Sequence, residues 1–261
     1  MVEMLYNLLS PDTLHSFIFV LLRVSVILFL LPVFGSVNLP TVWKGAFALL
    51  LTLLLSQVVP RQPLAVHSGL EMAVTLGGEL LLGLVLGLSV RLILTSFEMA
   101  GQFMGFQMGF TIVNVVDPQS GSQTSIMAQF SYILAILIFL MVNGHHYLIQ
   151  ALVRSFELVP PGGFVPDGGV YVKLVKLSSH MFTVALKIAA PVMSSLLLAT
   201  IALGIVSKTV PQMNILIVGF PLNIGIGLLL LGFSMSTVVP YVIRLLGQLL
   251  PVMERLMQTG S

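Results

Sequence analysis

The sequence predicts an all-α, polytopic integral membrane protein of long, kinked helices and helical hairpins. Three observations carry that prediction. First, only 8% of the 261 residues are charged and 57% are hydrophobic, with a mean hydropathy of +1.08. A soluble domain carries about 25% charged residues, so this chain has too little polar surface to coat a globule in water. Second, the apolar residues gather into six runs long enough for bilayer-crossing helices, which need about 20 residues each. Third, the runs are continuous, without the alternation of barrel strands, and backbone groups in lipid are satisfied only in helices or closed barrels.

The first run covers 14–33 and opens on Ser10, Pro11 and Asp12. Serine caps, proline suits the first helical position, and an acidic residue favours the positive end of the helix dipole. Arg23 lies inside this run and no Lys or Arg precedes it in 1–13, so it reads as a retained helix and not a signal peptide. The second run, 42–59, stops at Pro60. The third begins near 70, reaches 100, and continues through a glycine-rich stretch toward Phe110. The segment 114–125 is a polar break, with Asp117, Pro118 and Gly121 as turn signals.

The fourth run, 126–152, is interrupted at Asn143 and Gly144. A Pro/Gly linker occupies 160–169. The fifth run, 177–206, contains Lys187 and Pro191, and the sixth, 213–239, contains Pro221. The tail, 241–261, reads as a separate amphipathic helix. Six spans place both termini on one side, and the side richer in Lys and Arg is then the cytoplasmic one.

Charges within apolar runs are the first candidates for function, since each costs about 2.5–3.5 kcal/mol at a span centre. Arg91, Lys208 and Glu71 sit where a side chain can snorkel. Arg23, Glu79 and Lys187 are expected to be buried and paired with another helix or subunit, a proton relay being the alternative. Gly83 and Gly87, then Gly101, Gly105 and Gly109, recur at four-residue spacing. That spacing puts small residues on one helical face and lets another backbone approach.

Between those glycines lie Phe103, Met104, Phe106, Met108 and Phe110. Two readings apply: ordinary apolar contact, or a deformable plug of soft side chains that closes a pore by dewetting. The adjacent His145 and His146 point about 100° apart on a helix and form no chelate, so no metal site is expected. Cysteine is absent, and no phosphate loop, nucleophile elbow or metalloprotease signature occurs. An enzyme and a cofactor are therefore not expected. With 11 basic and 9 acidic residues and no basic stripe, nucleic acid is not an expected partner.

Several ordered motifs carry a resemblance. They are PVFG at 32–35, GELLLGLVLG at 78–87, FEMAGQFMGFQMGF at 97–110, VDPQSG at 116–121, NGHHYLI at 143–149 and PQMNILIVGFP at 211–221. The chain resembles the FliR/SpaR/YscT family, the R subunit of the export gate in flagella and virulence type III secretion systems. The resemblance implies a hetero-oligomeric, pseudo-helical gate with P-type and Q-type subunits (FliP and FliQ) and an FlhB-type switch protein. Unfolded export substrates would pass it at the bacterial inner membrane, within the flagellar basal body. It implies a P-type-like part over about 1–155 and a Q-type-like part over about 170–261. A plug loop would span about 105–122, with Phe106, Met108 and Phe110 at the constriction and Met104 and Phe103 beside them. Glu98, Gln102, Asp117 and Pro118 would support the loop. Helices of such a gate are enclosed partly by sister subunits, so some runs need not cross lipid. The competing expectation is a proton-coupled small-molecule carrier with a site near Lys187 and Glu79.

Overall fold

The computed structural model describes residues 11–31, 39–59, 68–110, 125–164, 168–210, 212, 214–248 and 251. Seven α-helices of eight or more residues and no strand occur among the described residues: α1 Pro11–Leu30, α2 Thr41–Leu55, α3 Gly69–Met108, α4 Ile126–Met141, α5 Gly144–Leu158, α6 Gly168–Thr209 and α7 Ile215–Gly247. Four of them, α1, α3, α6 and α7, are long and apolar enough to cross a membrane, and α4 with α5 makes a fifth if taken as one broken span.

The expectation of six spans is corrected at α2. Its 15 residues give a rod of about 22 Å at 1.5 Å per residue, short of a hydrocarbon core of about 30 Å. It opens on Pro40 and closes at Ser56, whose N–H donates to Thr52 O. The parity that placed both termini in the cytoplasm falls with the count. The C-terminal tail is corrected as well: α7 runs through Pro240 to Gly247, so Tyr241 and Arg244 belong to the last long helix.

The chain forms two compact units that interleave along the sequence. One comprises 1–92, 143–177 and 247–261. Here α1 packs on α2 and against the first half of α3. Phe19, Val20, Val24, Ile27 and Leu28 form its buried stripe at helical spacing. Close approach to α3 depends on Gly83 and Gly87: a Cβ at Gly83 would lie 3.0 Å from Val26 Cβ, and one at Gly87 2.8 Å from Leu30 Cβ. The start of α3 is a reciprocal capping box, with Glu71 N donating to Ser68 Oγ and Ser68 N to Glu71 Oε2, both at 3.2 Å.

The other unit comprises 93–142 and 178–246. The second half of α3 lies along α4. A Cβ at Gly101 would lie 2.5 Å from Ser131 Oγ and 2.8 Å from Ala128 Cα, and one at Gly105 3.0 Å from Met127 Cβ. Small residues thus face small residues, as the four-residue glycine spacing requires. In α6 the buried stripe is Val184, Ala185, Ile188, Ala189, Val192 and Leu196.

The most apolar windows of α6 and α7 are each only 22% buried, against 56% for α3. Leu197, Leu198, Ile201 and Ile205 of α6 and Ile217, Leu229 and Phe233 of α7 are exposed. Faces of that composition cannot be left in water, so lipid or other apolar chains cover them.

Candidate functional site

Two constellations assemble around the residues that the sequence singles out. In the first unit, Arg23 of α1 and Glu79 of α3 meet with both side chains 0% exposed. The contact is a two-point fork, Arg23 Nε to Glu79 Oε2 at 2.7 Å and Nη2 to Oε1 at 2.8 Å. The third guanidinium nitrogen, Nη1, donates to Ser155 O at 3.0 Å, Val159 O at 3.0 Å and Ser155 Oγ at 3.2 Å. Those acceptors lie at the end of α5, where the dipole is negative; Ser155 O also accepts from Val159 N at 2.9 Å, so the arginine is its second donor. Arg23 therefore caps α5 as well as neutralising Glu79.

Glu79 Oε1 also accepts from Gly162 N at 2.8 Å, in the turn after α5. The Arg23 guanidinium carbon lies 4.2 Å from the ring centre of Phe156. Planar geometry suits arginine to this fork and to the ring face. Burying either charge alone is costly. Here the two neutralise each other, and the Arg23 nitrogens and Glu79 oxygens are bonded, so the pair clamps α1, α3 and the α5 end together. Lys187, expected among the buried charges, is exposed on the chain's own surface. It follows the buried pair Val184 and Ala185 but falls off the stripe that α6 turns inward.

The second constellation is the end of α3. A turn of about 100° per residue divides it into two faces. Phe97, Ala100, Gly101, Met104, Gly105 and Met108 make the buried face. Gln102, Phe103 and Phe106 share the other, where Phe106 is 73% exposed, Gln102 is exposed and Phe103 is half-buried; Phe110, also half-buried, follows the left-handed residue Gly109 and lies beyond this helical phase. Glu98 is half-buried at the margin. Met104 and Met108, expected beside the phenylalanines at a constriction, are 1% and 0% exposed and point into the chain's own packing. Helical phase is the reason: each stands roughly opposite Phe106.

The helix closes on Gly109, whose φ of +93° suits glycine alone at low cost, with Phe110 N donating to Gly105 O at 3.0 Å. A Cβ on Gly109 would lie 2.5 Å from Phe220 Cδ1 of α7. One on Gly227, also in α7, would lie 2.8 Å from Met108 Cγ and 3.0 Å from its Sδ. Gln107 Nε2 donates to Met193 O of α6 at 3.0 Å. Asp117, Pro118 and the rest of 111–124 lie outside the described residues, as do Ser10 and the PVFG motif.

Sequence reasoning missed Ser155, Phe156, Val159 and Gly162 as partners of the ion pair, and Phe220 and Met193 as partners of the α3 end. Only tertiary proximity marks them. The S-x-x-E box at Ser68 was legible, but Glu71 was assigned to snorkelling instead. His145 and His146 are exposed, their rings 4.4 Å apart, and no cluster of three metal-ligating side chains occurs among the described residues.

Long apolar helices, a fully buried ion pair and glycine-mediated helix contacts define a polytopic helical membrane protein with broad exposed apolar faces. A model of the family described as bacterial export proteins, family 1, matches residues 14–249, and the chain belongs to that family. Its relatives are named as flagellar biosynthetic proteins, not as enzymes. FliR of Bacillus subtilis (strain 168) is 36% identical over 231 residues, covering 87% of this chain and 88% of the relative. FliR of Escherichia coli (strain K12) is 30% identical over 87% of each chain. FliR of Aquifex aeolicus (strain VF5) is 28% identical over 88% of each.

Proposed function

We propose that the chain is a core subunit of the inner-membrane gate of a flagellar type III protein export apparatus, and that it contributes channel wall and plug for unfolded flagellar substrates. The observation that carries this reading is the two-faced end of α3. One face is consumed by packing, and the other presents Phe103 and Phe106, with Phe110 after the turn at Gly109, at the start of the segment of about 105–122 that the resemblance assigns to the plug. Apolar rings projecting from a fixed helix can close a narrow path by excluding water, and they yield to a passing chain because no bond need break.

Family membership supports the export role, and the uncovered faces of α6 and α7 suit neighbours of P-type and Q-type (FliP and FliQ) and an FlhB-type switch protein. The two-part likeness, P-type over about 1–155 and Q-type over about 170–261, belongs to this proposal. So do support of the loop by Glu98, Gln102, Asp117 and Pro118, and residence in the flagellar basal body. A proton-coupled carrier is not favoured. Glu79 is occupied by Arg23 and Gly162, and Lys187 is exposed, so each half of the site that reading required is otherwise engaged or misplaced.

The test is ion leakage in cells that co-express the full chain with its gate partners. Phe106→Ala removes an exposed ring without touching the packed face, and it should raise potassium release while leaving complex yield unchanged. Wild-type release from a normally assembled Phe106→Ala complex would remove the plug assignment. Native mass measurement of the purified chain gives a second readout, with one copy bound to several different small membrane proteins as the expected result.

A further inference from the structure

The sequence places Met108 with the sealing side chains, yet Met108 is 0% exposed and Phe106, two residues earlier, is 73% exposed. Three contacts explain the difference. The Met108 side chain lies in the notch left by Gly227, where a Cβ would stand 2.8 Å from Met108 Cγ. Gly109 turns the chain at φ +93° under the Phe220 ring, one face of α7 thus supplying both partners. Gln107 donates to the Met193 carbonyl of α6, two residues beyond Pro191.

Consecutive residues 107, 108 and 109 therefore bind to two helices at once. Each contact uses a different chemistry: a side-chain hydrogen bond, a flexible thioether in a glycine notch, and a left-handed turn beneath an aromatic ring. Polarisable methionine suits an irregular notch of this kind. With the helix end held at three points, the phenylalanine face cannot rotate about the α3 axis.

We propose that Met108 is a positioning residue whose seat on Gly227 fixes the rotation of the α3 end and so aims Phe106 and Phe110; it is not itself a sealing group. The inference rests on the plug reading above. It makes the C-terminal helices the setters of the closed position, and Gly227 the residue that admits them.

The chain has no cysteine, so an introduced pair reports without background. Adding one C–C bond of about 1.5 Å to the 2.8 Å separation puts the Cβ positions of 108 and 227 at most about 4.3 Å apart, within disulfide reach. The double variant Met108→Cys, Gly227→Cys is made in the full chain, co-expressed with its gate partners, and potassium release is followed with and without reductant. Reduced, the variant lacks the seated thioether and should leak well above wild type. Oxidised, the covalent link should hold the helix end and return leakage toward wild type, reversibly. A packing role without influence on the seal gives equal leakage in both redox states and overturns the inference, as does failure of an accumulated chain to cross-link. Gly227→Ala supplies an independent arm: its methyl displaces Met108 and should raise leakage in assembled complexes, and wild-type leakage there also overturns the inference. If Phe106→Ala leaks and the seat variants do not, the anchor alone fails; if none leaks, the plug reading fails.

Discussion

Replacing Glu79 by leucine strands Arg23, whose side chain is 0% exposed and bonds no other carboxylate among the described residues. The carboxylate accepts three hydrogen bonds, two from Arg23 and one from Gly162 N, and all three disappear together. Removing one partner of a buried pair costs about 3–5 kcal/mol, chiefly for the charge left behind. At about 2–4 °C per kcal/mol for a chain of this size, Glu79→Leu should lower the melting temperature by about 6–20 °C. The double variant Arg23→Met, Glu79→Leu removes both charges and keeps an apolar chain beside Phe156. It leaves Val159 O and Gly162 N without these partners, while Ser155 O keeps only its bond from Val159 N, so it should recover much of the loss but not all of it. The assay is thermal unfolding of the purified full chain in detergent, followed by helical circular dichroism, across the four members of the cycle. Strictly additive losses, or a Glu79→Leu variant melting within about 2 °C of wild type, would refute the clamp.

Other outcomes follow from the same packing. Gly101→Ala should cost about 1–3 kcal/mol, because its Cβ would press on Ser131 Oγ and Ala128 Cα. Gly77→Ala, with nothing within 4 Å of its Cβ, should stabilise α3 by about 0.5–1 kcal/mol in the same thermal assay. Asn143 has φ 56° and ψ 35° between α4 and α5. Asn143→Gly should therefore melt close to wild type, and Asn143→Val should lose about 1–2 kcal/mol. Lys187→Gln should leave the isolated chain's melting temperature unchanged, since the side chain is exposed on the chain's own surface. A loss as large as that of Glu79→Leu would place Lys187 in a buried pair after all.

What could be read directly from the residues was whatever depends on local order along the chain. Apolar runs are helices because backbone groups without water must bond within their own segment, and that holds whatever the neighbours are. Glycines four apart announce a close contact for the same reason, since helical phase alone puts them on one face. Arg23 and Glu79 stood out because an ionised group in an apolar run needs compensation, yet their being each other's compensation was hidden by a separation of 56 residues. Lys187 met the same criterion and lies exposed, because one position of helical phase carried it off the buried stripe of α6.

Tertiary structure alone decided which of the glycine steps met which helix, that α2 is too short to cross as a rod, and that Met104 and Met108 turn inward while Phe106 turns out. Hydropathy records that a side chain avoids water, but lipid, a sister subunit and the chain's own core avoid water equally well. Only the rotation of each helix about its axis distinguishes them. That rotation is set by contacts such as Gly83 on Val26 and Gly227 on Met108, which join residues far apart in the sequence.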